Sequence, residues 1–137
     1  MIVVDTNVLS ELMRPQPAPP VARWLEGAQP DVRALTAISV MEITYGVTRL
    51  PAGRRKDATR QRWESIQASW TGPFLELGMA ESVAAGEVLG ARAAIGRPIS
   101  APDAQVAGLC LAWGAALATR NTKDFEGLGI ELINPWG

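Results

Sequence analysis

The sequence predicts an α/β fold built on a mainly parallel sheet. Three observations point there. Short β-branched or apolar runs alternate with longer segments of helical periodicity. The first run, Ile2-Val3-Val4, is continuously apolar, as suits a strand buried on both faces. Pro51-Ala52-Gly53 and Gly96-Arg97-Pro98 stop helical segments, as breakers between alternating elements do.

The elements follow in order. Ile2-Val3-Val4 is the first strand, and it stops at Asp5. Val8, Leu9 and Leu12 then recur at helical spacing. Pro15, Pro17, Pro19 and Pro20 break that helix and predict a rigid connector. Val21 to Ala28 reads as a second helix with Val21, Trp24 and Leu25 on one face, and Val32 to Thr36 as a second strand. Ile43, Val47 and Leu50 define a helix over Ser39 to Leu50, ended by Pro51-Ala52-Gly53. A further helix spans Asp57 to Trp70, with Trp63, Ile66 and Trp70 aligned. Phe74 to Leu77 is short, apolar and ambiguous. Ser82 to Ile95 predicts a small-residue helix able to pack closely, closed by Gly96-Arg97-Pro98. Asp103 to Trp113 is another helix, Ala115 to Ala118 a candidate strand, and Ile130 to Ile133 the last strand.

The 137 residues suit one domain, residues 1–137, with no linker long enough to divide it. At 47% hydrophobic, 20% charged and formal charge −1, the chain is neither disordered nor a generally basic nucleic-acid binder. Met1-Ile2-Val3-Val4-Asp5 reaches an acid without a basic start or a long apolar core. No signal peptide, membrane span or membrane partner is expected, and the cytoplasm is the expected location.

Two absences narrow the chemistry. There is no histidine, which excludes a Ser-His-Asp triad and a His-ligated zinc. The single cysteine, Cys110, excludes an intramolecular disulfide, and its apolar run Val106 to Leu111 marks it as core filler. An enzyme of this composition must work with carboxylates, hydroxyls, amides, Lys or Arg. A carboxylate site implies a hard divalent cation.

Four acids share one local setting. Asp5 follows the first strand, and Glu42 lies in the first turn of the helix after the second. Asp103 opens a helix after the Pro98 to Pro102 loop, and Asp124 follows the Ala115 to Ala118 strand. In a doubly wound sheet, the carboxyl ends of the strands share one edge, where ligands bind. The acids can therefore converge, and their mutual repulsion is relieved by a cation or by protonation. Mg²⁺ suits such a site, and the combination points to hydrolysis of phosphodiesters. The competing reading is local. Ser39-x-x-Glu42 and Ser100-x-x-Asp103 both fit a capping box, and the helix dipole favours acids in a first turn. Thr6 and Asn7 beside Asp5, and Thr119 and Asn121 before Asp124, suit either a supporting shell or caps and turns.

Arg49, Arg54, Arg55, Lys56, Arg60 and Arg62 put six of the 13 basic residues within 14 positions. Arg54, Arg55 and Lys56 in this run are candidate contacts to a polyanionic substrate gripped by its phosphates, against the alternative of a solvated helix face. The Trp63–Trp70 stripe fits core or interface better than a base-stacking platform.

The ordered set of these segments resembles the PIN-domain family. It comprises Met1-Ile2-Val3-Val4-Asp5-Thr6-Asn7, Glu42 after Ser39, Asp103-Ala104-Gln105-Val106-Ala107, and Thr119-x-Asn121-x-x-Asp124-Phe125. Within it the chain is similar to VapC-type toxins of bacterial toxin–antitoxin pairs, and to their FitB-like subgroup. The latter likeness lies in Ser10-Glu11-Leu12-x-Arg14-Pro15, Glu42-Ile43-x-Tyr45-Gly46 and Leu50-Pro51-x-Gly53-Arg54-Arg55. The resemblance implies a Rossmann-like sandwich with about five parallel strands and a Mg²⁺- or Mn²⁺-dependent endoribonuclease. It implies Asp5, Glu42, Asp103 and Asp124 as the acidic quartet, with Asp5 and Asp103 the firmest metal ligands. Thr6, Asn7, Thr119 and Asn121 would support them. A homodimer and a cognate antitoxin are implied as well, the antitoxin being a small DNA-binding protein with an inhibitory tail. Operator DNA would then be reached only through the antitoxin. Pro102 just before Asp103 is unusual for the pattern but fits a first helical turn. Helix faces bearing Leu9, Leu12, Trp24 or Trp63 are candidates for the dimer interface.

Two other classes compete. A haloacid-dehalogenase-type phosphatase wants Asp-x-Asp after the first strand, where this chain has Asn7 in the second position. A receiver domain wants paired acids and a suitably placed lysine, and only Lys56 and Lys123 exist. A non-catalytic RNA- or protein-binding module remains the alternative from outside enzymology.

Overall fold

A computed structural model describes residues 1–137. Five parallel strands form one sheet in the order β3-β2-β1-β4-β5. They are β1 (Ile2–Val4), β2 (Arg33–Thr36), β3 (Phe74–Leu75), β4 (Ala116–Ala118) and β5 (Leu132–Ile133). Six helices cover the faces: α1 (Thr6–Leu12), α2 (Pro19–Gly27), α3 (Ala37–Thr48), α4 (Arg54–Ser69), α5 (Met79–Ala94) and α6 (Ala101–Trp113). No helix is long and apolar enough to cross a membrane.

Strand alternation divides the core in two. Val3, Ala34 and Leu117 face a cluster with Val88 of α5 and Ala104, Leu109 and Cys110 of α6. Their neighbours Val4 and Leu35 face the opposite cluster, with Val8, Leu9, Val21, Ile43, Val47 and Trp63. Each fully buried aliphatic side chain contributes about 1.5–3 kcal/mol. The expected small-residue packing is visible where α5 meets α6. A Cβ on Gly108 would lie 2.6 Å from the Glu81 carbonyl oxygen and 2.7 Å from the Ala85 nitrogen, so only glycine admits this approach.

Several boundaries differ from expectation, each for a local reason. α2 begins at Pro19 rather than Val21, because proline is well suited to the first helical turn. α3 begins at Ala37 because Thr36, not Ser39, caps it, its hydroxyl accepting from Ser39 N at 3.2 Å. α4 starts at Arg54 and α5 at Met79, each directly after a glycine cap. Phe74–Leu75 resolves as an edge strand beside β2.

The four residues named for a dimer interface differ in exposure. Leu9 and Trp63 are core, and Leu12 and Trp24 pack half-buried against it. Trp70 is likewise structural: its indole N–H donates to the Arg33 carbonyl at 3.2 Å.

Candidate metal-dependent hydrolytic site

The sheet reverses its direction of growth at β1, with β2 and β3 on one side and β4 and β5 on the other. Ligands bind beyond the carboxyl ends of strands at such a switch point. Asp5 ends β1 there, and Thr119 ends the adjacent β4.

Asp5 is only 6% exposed. One carboxylate oxygen accepts from Thr6 N at 2.8 Å, as an N-cap of α1. The other accepts from Thr119 Oγ1 at 2.8 Å and from Asn7 Nδ2 at 3.3 Å. Burial pushes the Asp5 carboxyl up to about 6 against the opposing pull of the Thr119 and Thr6 hydrogen bonds, and the charges of Asp103 and Glu42 push it further. Asp103 is also raised, first by burial, with Ser100 opposing and Asp124 and Glu42 reinforcing. These mutual effects mean that the four carboxylates share one electrostatic neighbourhood.

The two capping boxes expected from the sequence fare differently in the structure. Glu42 does not complete a capping box. Because α3 begins at Ala37, Glu42 lies in its second turn rather than the first. Its Oε1 instead accepts from Thr6 Oγ1 at 2.8 Å, and that hydroxyl also bonds Ser39 Oγ at 2.9 Å. Ser100 does cap α6, accepting from Asp103 N at 3.3 Å, with Pro102 accommodated in the first turn. Asp124 lies in a 3₁₀ turn (Thr122–Phe125), exposed, and its side chain makes no hydrogen bond to protein.

Asn7 staples the two strand ends together. Its Nδ2 donates to Asp5 and, at 3.2 Å, to Thr119 Oγ1, and its Oδ1 accepts from Arg120 N. Asn121 takes part through its backbone alone, N donating to Thr119 Oγ1 and O accepting from Asp124 N. The Asn121 side chain is exposed and makes no hydrogen bond to protein.

Two clefts flank the acids. One, of about 510 Å³, lies among α1, α3 and α4 and is lined by Glu42 together with Arg14, Arg55 and Arg62. The other, of about 350 Å³, is lined by Asp103, Asp124, Arg92, Arg97 and Lys123. Of the expected basic contacts, Arg55 lines the first cleft and Arg54 is exposed outside it. Lys56 donates from Nζ to the Thr48 carbonyl at 3.0 Å, capping the end of α3. Arg14 and Arg92 were not among the basic candidates read from the sequence. No local run contains them; only the fold brings them to the clefts.

No three carboxylates stand close enough to enclose an ion unaided. The donor set nevertheless fits Mg²⁺ or Mn²⁺. It is all hard oxygen, and Mg²⁺ retains several waters and needs only one or two direct carboxylates. Desolvated, mutually repelling acids also gain the most from a cation.

The chain matches the family described as PIN domain over residues 2–130. It is 33% identical over 137 residues to a VapC ribonuclease, Y4jK, of Sinorhizobium fredii, covering 99% of this chain and 98% of the relative. It is 32% identical to Toxin FitB of Neisseria gonorrhoeae, covering 99% of each. Among solved structures, FitAB bound to an IR36 DNA fragment superposes with a TM-score of 0.90 at 30% identity, covering 100% of this chain and 96% of the other.

Proposed function

The chain belongs to the PIN-domain family, and on that premise we propose that it is a Mg²⁺- or Mn²⁺-dependent endoribonuclease, the toxin of a toxin–antitoxin pair. The ribonuclease and toxin assignments follow full-length relatives at 32–33% identity. The observation that supports the mechanism most directly is the buried Asp5 at the switch point, raised by burial and by the charges of Asp103 and Glu42.

Asp5 and Asp103 would be the direct ligands in this reading, and Glu42 and Asp124 would complete the set directly or through waters. A bound divalent ion supplies Lewis acidity to a phosphoryl oxygen and lowers the pKa of a ligand water. The chain's own groups do the rest. Thr6, Asn7 and Thr119 hold the Asp5 carboxylate by three hydrogen bonds, and Asn7 is itself bonded to Thr119, so the carboxylate is oriented before substrate arrives. Thr6 also fixes Glu42 by donating to its Oε1. Asp124, whose carboxylate has no hydrogen-bond partner in the protein, has both side-chain oxygens available to accept a proton from the attacking water. Arg55 and Arg62 flank Glu42 and offset the repulsion between this acidic centre and an RNA backbone.

The partner is a cognate antitoxin that binds operator DNA and, through a tail, covers the acidic centre. The toxin acts as a homodimer in the cytoplasm. A non-catalytic binding role has no observation in its favour here, since the supported carboxylates are arranged beyond what simple capping needs.

The test is cleavage of single-stranded RNA by purified, antitoxin-free protein, with added Mg²⁺ or Mn²⁺ against EDTA. Asp5→Asn is run in parallel to expose contaminating nuclease. Metal-dependent cutting lost in the variant is expected. Unchanged cutting by Asp5→Asn overturns the carboxylate site.

A further inference from the structure

The second cleft has a construction that the acidic centre does not require. Its lining combines three cations, Arg92, Arg97 and Lys123, with the carboxylates Asp103 and Asp124 and a single apolar side chain, Ile99. Cations and carboxylates share the cavity without pairing. The ion pairs of this structure are Arg14–Glu11 and Arg60–Asp57, both elsewhere.

Arg92 is the unusual member. It stands on α5 with only 5% of its surface exposed, among core residues such as Ala85 and Val88. Its Nη2 donates to the Asp124 carbonyl at 2.9 Å and to the Glu126 carbonyl at 2.8 Å. No carboxylate lies within ion-pair distance of it, and Nε and Nη1 have no protein acceptor. Neutral carbonyls offset only part of the cost of burying a guanidinium. The unused donors of a buried arginine that lines a cavity suit an anion entering that cavity.

The other two cations are placed by backbone geometry. Arg97 N donates to the Arg92 carbonyl at 3.0 Å and Gly96 N to the Ala93 carbonyl at 3.1 Å. With Gly96 at φ +69°, this is a Schellman turn at the end of α5, and it sets Arg97 in fixed relation to Arg92. Lys123 immediately precedes Asp124 in the 3₁₀ turn whose carbonyl Arg92 holds. Thus the turn that presents an acid also presents a cation, tied to α5 by the same guanidinium.

We propose that the Arg92–Arg97–Lys123 cavity binds a backbone phosphate of the RNA adjacent to the one being cleaved. This rests on the ribonuclease reading above. The two clefts share no lining residue, one taking Glu42 and the other Asp103 and Asp124. A strand crossing the acidic centre therefore meets Arg55 and Arg62 on one flank and this cavity on the other. Cations on both flanks position a polyanion over carboxylates that would otherwise repel it.

The experiment measures binding of a fluorescent twelve-residue oligouridylate to Asp5→Asn protein across a salt series. Arg97→Ala, Lys123→Ala and their double variant are compared with Arg23→Ala, an exposed cation on α2. The two cavity cations other than Arg92 and the control are all at the surface, so folding is not at stake. The double variant is expected to bind at least tenfold more weakly, with the slope of log K against log salt shallower by about 0.7 for one lost phosphate contact. Arg23→Ala should change neither. An effect of Arg23→Ala equal to that of the cavity variants overturns the proposal in favour of a general field. Unchanged affinity and slope in the double variant overturn it while leaving the ribonuclease reading standing. Unchanged RNA binding with lost antitoxin binding also overturns it and makes the cavity a protein contact. Absence of RNA binding together with absence of metal-dependent cleavage by the wild-type chain overturns both readings.

Discussion

Thr119 Oγ1 donates to Asp5 Oδ2 at 2.8 Å, across 114 positions of sequence. The bond joins the carboxyl ends of β1 and β4, neighbours at the switch point of the sheet. Thr119 is itself fully buried, and it accepts in turn from Asn7 Nδ2 and Asn121 N. A single hydroxyl thereby links the buried carboxylate to the start of the turn that presents Asp124.

Thr119→Val tests that link. Valine keeps the shape but removes the donor to Asp5 and the acceptor for two N–H groups. Leaving buried polar groups unsatisfied costs about 1–3 kcal/mol. Losing the Thr119 bond also removes an influence that holds the Asp5 carboxyl down. Mn²⁺ affinity should fall, and its pH midpoint should move upward. Calorimetric titrations at pH 6, 7 and 8 check this; an unchanged midpoint excludes the link.

Asp5→Asn should raise the melting temperature of the metal-free protein at neutral pH. A carboxyl raised in the folded state from 3.8 to about 6 contributes stability below pH 3.8 and loses it as pH rises through 6. Above pH 6 the fold therefore bears an ionised, desolvated carboxylate, at an upper cost of about 3 kcal/mol. Melting curves between pH 4.5 and 8 should show the variant gaining on the wild type as pH increases. Parallel curves across that range contradict the assignment.

Metal binding should reverse that order. Ligand acids must be deprotonated, so affinity for Mg²⁺ or Mn²⁺ should weaken as pH falls below about 6, approaching tenfold per unit. At pH 8, saturating ion should raise the wild-type melting temperature, and EDTA should return it to the metal-free value. Asp5→Asn and Asp103→Asn should respond little to the same ion.

Thr6→Val addresses Glu42. The Thr6 hydroxyl is the only hydrogen-bond donor to the Glu42 carboxylate and also contacts Ser39. Removing it frees the glutamate to adopt other rotamers and should lower RNA cleavage about tenfold, with a melting temperature change of only a few degrees. Thr6→Ser keeps the hydroxyl and should restore most of the rate. A valine variant of full activity would mean that Glu42 needs no anchor.

Much of this architecture is legible in local sequence, because the responsible forces are local. Ile2-Val3-Val4 reads as a strand since β-branched residues buried on both sides leave no periodic polar face. The start of α3 is not legible in the same way. Thr36 and Ser39 are both good caps, and only the extended backbone at Thr36 decides between them. That choice moves Glu42 out of the first turn and removes its capping interpretation. The acids were visible as a set at strand–helix junctions, whereas their shared field depends on sheet order. Asn121 and Lys56 stand out in local sequence, but tertiary geometry brings Asn121 to the site through its backbone N–H and turns the Lys56 ammonium to the Thr48 carbonyl. Arg92 lies in a segment whose alanines and glycines announce only close packing, so nothing local marks a guanidinium bonded to a turn 32 residues away.

The α5–α6 contact positions Asp103, and Gly108 is where it is tightest. An added Cβ would meet the Glu81 carbonyl oxygen at 2.6 Å and the Ala85 nitrogen at 2.7 Å. Both are backbone atoms of α5 and cannot rotate away, so Gly108→Ala must push the helices apart. The expected cost is about 1–3 kcal/mol, typical of an overpacked core. Displacing α6 moves Asp103 as well, so metal affinity should fall with stability. Gly90→Ala gives the contrast on the same helix pair, because nothing lies within 4 Å of its added Cβ. There the helix gains about 0.5–1 kcal/mol from the better helix former. Denaturant melts of the two variants should therefore move in opposite directions, and a shared direction would mean that α5 and α6 do not meet as closely as this.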